Sequence, residues 1–122
     1  MAHRSTYSLD AVETETVLIE NQMTGAGAAN LTAVGPDIVS GTLNGTGIFD
    51  LVFRHRYPQG SPMEPGIVGT TAGLRASFSA WDPAAGTATV RFYVGSTLTN
   101  PAATDSIRFF FLMRNSGRNP SA

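Results

Sequence analysis

Apolar and polar positions alternate with a period of two over short runs, and no window of a dozen residues keeps apolar positions at helical spacing. Thirteen Gly and seven Pro cut these runs at short intervals, the punctuation of an all-β chain. The first run, Ala11 to Ile19, sets Glu13 and Glu15 on one face and Thr14 and Thr16 on the other. It gives way to a Gly/Ala-rich connection, "ENQMTGAGAAN". Ile38 to Leu43 and Thr46 to Arg54 then read as the arms of a hairpin around Asn44-Gly45, two residues that tolerate the positive φ of a type I′ turn. In the second arm Phe49, Leu51 and Phe53 share one face. Pro58 stops it, because proline has no N–H to give to a ladder.

Pro58 to Gly73 reads as a loop of sixteen residues with three Pro and four Gly, long enough to suggest a functional or interface-forming segment. A second hairpin follows. Leu74, Ala76, Phe78 and Ala80 alternate with Arg75, Ser77, Ser79 and Trp81, so that Trp81 points outward. The turn "DPAAG" has Asp82 to start it, Pro83 preset for its second position and Gly86 to close it. The return arm turns Ala88, Val90, Phe92 and Val94 inward, with Thr87, Thr89, Arg91 and Tyr93 outward. A polar connection, "GSTLTNPAATDS", leads to a last strand from Ile107 to Asn115. The sum is a small antiparallel sandwich or jelly-roll-like barrel of about six to eight strands. The pattern predicts a flexible N-terminal arm over 1–10, a single β-domain over 11–115 and a short tail over 116–122.

The last strand breaks the alternation. "RFFFLMR" puts five apolar residues between two arginines, with Phe109, Phe111 and Met113 on the side of Ile107. Phe110 and Leu112 fall with Arg108 and Arg114 on the other side. A strand apolar on both faces is covered twice, either by layers of its own domain or by another protein chain with the arginines at the rim.

Composition favours protein contacts over chemistry. Charged residues make up 14% of the 122, against a usual quarter, so the surface is largely Ser, Thr, Asn, Gly and Ala. A net charge of −1 supplies no field to draw in nucleic acid or an anionic membrane, and neither is expected as a partner. There is no cysteine, and His3 and His55 form no metal-binding pair. The nine carboxylates are scattered, several at turns (Asp37, Asp82, Asp105) where they bond local N–H groups. The glycine clusters lack the helix and the Lys-Ser/Thr ending of a phosphate loop. These features predict no enzyme, no metal and no cofactor. The N-terminus lacks the apolar core of a signal peptide, so synthesis in the cytoplasm is expected. "FRHRYP", Phe53 to Pro58, stands out as a basic-aromatic cluster.

"GTGIFDLVFRHRYP" and "AAGTATVRFYVGSTLTNPAATDSIRFFFLMRNSG" give the chain, over about Asn30 to Gly117, a pattern that resembles small virion proteins of tailed bacteriophages. The Gly/Pro-rich stretch 58–73 departs from it, standing where a more regular apolar run belongs. The resemblance implies a capsid decoration (cement) or head-fibre protein: β-rich, oligomeric as a dimer or trimer, and bound to the major capsid protein lattice on the virion surface. Candidate interface residues are Phe110, Leu112, Trp81, Tyr93, Tyr57, Arg54, Arg56, Met63 and Ile67. The rival expectation is a receptor- or glycan-binding module, a fibre tip or head fibre, using Trp81, Tyr93, Tyr57 and Arg91.

Overall fold

The structure, a computed structural model, describes residues 16–114. The expected arm, the first residues of the Ala11–Ile19 run with Glu13 and Glu15, Asn115 and the tail lie outside the described residues. Among the described residues ten strands and no helix are found: β1 (Thr16–Thr24), β2 (Thr32–Ala33), β3 (Ile38–Leu43), β4 (Ile48–Phe53), β5 (Gln59–Pro62), β6 (Gly66–Val68), β7 (Leu74–Asp82), β8 (Thr87–Val94), β9 (Thr97–Leu98) and β10 (Ser106–Arg114). They form two five-stranded antiparallel sheets, a small sandwich. The first runs β2-β1-β10-β5 with β6 beside β10, and the second β3-β4-β8-β7 with β9 on the end of β8.

Ten strands exceed the expected six to eight because β2, β5, β6 and β9 are two to four residues long and show no alternation to read. β1 also continues past Ile19 to Thr24, through residues expected to start the connection. Its full pairing with β10, from Thr16↔Arg114 to Thr24↔Ser106, supplies the order that the polar "ENQMT" does not advertise. Nor is the 58–73 stretch one open loop. β5 and β6 both add to the edge of β10, Leu112 facing Ser61 and Ile107 facing Ile67.

The core lies between the sheets. Ile19, Met23, Ile107, Phe109, Phe111 and Met113 from one side meet Phe49, Leu51, Phe53, Ala76, Ala88, Val90 and Phe92 from the other, all buried. At the centre Phe111 touches the rings of Phe53, Phe78, Trp81 and Phe109 at centroid distances of 5.2–6.0 Å, the range in which aromatic pairs add to simple burial.

Two local devices differ from the sequence expectation. The first hairpin closes over three residues, Gly45 to Gly47, with the Asn44 N–H donating to Ile48 O and the Ile48 N–H to Gly45 O. Gly45 and Gly47 hold the positive φ, 108° and 72°. The second device decides the orientation of Trp81. A register shift between Phe78 and Ala80 pairs Ala80 with Thr89 and Trp81 with Ala88, where unbroken alternation would pair Ala80 with Ala88. One extra residue on a bulged strand reverses the faces of everything after it. Trp81 therefore packs into the core, against Phe53, Phe78 and Phe111, and its Nε1–H donates to Gly60 O at 2.9 Å.

Candidate functional site

β10 is central in its sheet, and its outward side chains are Ser106, Arg108, Phe110, Leu112 and Arg114. Leu18 stands directly opposite Leu112, and Glu20 opposite Phe110. Leu18 and Leu112 are each 39% exposed and Phe110 is half-buried, although all three sit in the middle of a sheet. No described segment forms a layer over this face. Arg108 Nη1 reaches Glu20 Oε2 at 3.1 Å, both side chains half exposed, and Arg114 Nη1 donates to Gln59 Oε1 at 3.0 Å. An exposed pair of this kind adds little stability. It frames an apolar centre with polar groups, the arrangement of an interface core and its rim. An open depression of about 320 Å³, lined by Thr16, Gln59, Ser61, Leu112 and Arg114, lies at one end of the face.

The other predicted site residues are dispersed. Met63 is exposed just after β5, its N–H donating to Phe110 O, so it extends the edge beside Phe110. Ile67 packs against the core. Trp81 is in the core, and Tyr93 lies on the outer face of the second sheet, so the two do not form a joint platform. The basic-aromatic cluster is folded down on the turn after β7: Phe53 N–H donates to Gly86 O and Tyr57 N–H to Pro83 O. Burial, and then the charge of Asp37, pushes the Tyr57 hydroxyl pKa up. Arg54 Nε donates to Pro36 O, leaving Arg56 exposed beside Gly86. Leu18 was not singled out from the sequence. Its signal was "VLI", an unbroken apolar run like that of β10.

Asp105, expected as a turn residue, is fully buried. Its carboxylate accepts from Thr71 N, Thr71 Oγ1 and Ala102 N, tying the entry to β7 to the entry to β10. Burial pushes its pKa up, but the hydrogen bonds from Thr71, Ala102 and Thr70 outweigh that and hold it below the ordinary value. Four donors on a buried carboxylate make a structural clamp. Gly69 is part of it, since a Cβ there would collide with Asp105 Oδ1. Among the described residues no three His, Asp or Glu side chains gather as metal ligands.

No family model matches the chain, and neither a curated protein nor a solved structure does.

Proposed function

We propose that the chain is a structural component of a bacteriophage particle, a capsid decoration protein that docks on the major capsid protein lattice through the outer face of β1 and β10. The observation that carries this reading is the pairing of Phe110 and Leu112 with Leu18 and Glu20 on a face left open in the middle of a sheet. No layer of the described residues covers the apolar side chains there, and roughly 25 cal/mol is gained per Å² that a partner covers. The rim of Arg108, Glu20 and Arg114 fixes orientation more than affinity. A shallow face binds a lattice durably when several copies act together, which is why the reading includes a dimer or trimer. The pattern of "GTGIFDLVFRHRYP" and the segment from Ala84 to Gly117 adds the particle context.

The test is co-sedimentation of the purified chain with empty phage heads from the same source, with its own solution mass measured in parallel. Saturable binding by an oligomer is expected. A chain that stays monomeric and ignores the heads overturns the reading.

A further inference from the structure

Six arginines fall among residues 16–114. Arg54, Arg108 and Arg114 each bond a partner, whereas Arg56, Arg75 and Arg91 have no side-chain partner among the described residues. Arg75 and Arg91 stand together on the outer face of the second sheet. The ladder sets Arg75 opposite Tyr93 and Ser77 opposite Arg91. The two arginines are thus diagonal neighbours, roughly 7 Å apart at Cβ, with the Tyr93 ring and the Ser77 hydroxyl at the other corners of the square. Arg91 Nε is buried without an acceptor, a state that costs free energy until a ligand or a rearrangement relieves it. Asp50 does not relieve it. That carboxylate, diagonal to Arg91 on β4, accepts from Asn44 Nδ2 and Thr89 Oγ1 instead.

Beside this square opens a depression of about 310 Å³ lined by Arg75, Ala76, Ser77, Tyr93, Gly95 and Ser96, at the small end of ligand-sized sites; Arg91 stands outside that lining, across the ladder from Ser77. We propose that this corner binds the carboxylate-bearing ring of an acidic saccharide. The guanidinium groups hold the carboxylate, for which their fork geometry is matched. Tyr93 offers a ring face for the apolar side of the sugar, and the Ser77 and Ser96 hydroxyls meet the sugar hydroxyls. A bare inorganic anion would use the arginines alone and leave the ring and both hydroxyls without a role. The site shares no residue with the β1–β10 face and does not depend on it. It also differs from the platform of Trp81 with Tyr93 expected from the sequence, because Trp81 is in the core.

Titration calorimetry on the full chain tests it with 3′-sialyllactose and trigalacturonic acid, against lactose and inorganic phosphate. At least one acidic sugar is expected to bind, with lactose and phosphate weaker by about tenfold or more. Arg91→Gln, which keeps most of the stem, and Tyr93→Leu, which keeps apolar bulk, should each weaken the acidic sugar by a similar factor while melting like the parent. Arg56→Gln should change nothing. Absence of heat from both acidic sugars overturns the inference. Equal binding of lactose or phosphate, or an equal loss in Arg56→Gln, does so too.

Discussion

The two faces of β10 are built from the same kinds of residue and meet different fates. Phe109, Phe111 and Met113 look across at Phe53, Phe78 and Trp81 and are fully buried. Phe110 and Leu112, one residue away in each case, face outward beside Leu18 and Glu20, the first half-buried and the second exposed. The backbone, register and neighbours along the strand are shared, so the difference comes only from what stands opposite. An apolar side chain on a strand is a demand for cover, and among the described residues only the inner face meets a second layer. The outer face of the second sheet sharpens the contrast. At Thr89, Arg91 and Tyr93 it is polar, as a solvated strand should be, and Asp50 is hydrogen-bonded into it.

The largest effect expected from breaking this contrast is on the inner face. Phe111→Ser removes the ring at the centre of the aromatic cluster and should cost at least about 4 kcal/mol, most of the stability of a small domain. Loss of the thermal unfolding transition followed by circular dichroism would register it. Asp105→Asn comes next, at about 2–3 kcal/mol, since the amide cannot accept all the donors the carboxylate does. This substitution has a pH signature. Because the folded pKa of Asp105 is depressed, its contribution is fully present above the unfolded value, about 3.9, and is lost as pH falls below that through the folded pKa. Melting temperatures of the parent should therefore drop more steeply below pH 4 than those of the variant. A parallel acid decline in both would remove Asp105 from the account.

Trp81→Phe keeps ring packing and loses the bond to Gly60 O, an expected cost of about 1 kcal/mol in a denaturant melt. Trp81 also shows where the sequence could and could not be read. The long alternating strands, both hairpins and the inner face of β10 follow from period two and turn chemistry, because burial on one face imposes that period. The bulge between Phe78 and Ala80 leaves no mark in "LRASFSAWD": an unpaired residue is a matter of register against β8, and register is not a property of one strand. Pairing of β5 and β6 was hidden for the same reason, since Gly60 and Ile67 gain their order from β10 rather than from their own pattern. Of the candidate interface, Phe110 and Leu112 could be found because an unbroken apolar run cannot be satisfied by one buried face. Leu18 lay in a shorter run, and Arg75 acquires meaning only once Arg91 and Tyr93 are placed across from it.

An effect on stability no larger than that of Trp81→Phe is expected at Phe110. Phe110→Ser exchanges a half-buried ring for a small polar side chain on an open face, at a cost of about 1 kcal/mol. Its effect on assembly should be large. The most direct measurement is therefore a paired one, in which Phe110→Ser and the parent are compared for thermal unfolding and for co-sedimentation with empty heads. The expected result is a variant that melts within a few degrees of the parent and no longer sediments with the heads. Undiminished binding by Phe110→Ser, or a collapse of its fold like that of Phe111→Ser, would contradict the assignment of this face to a partner.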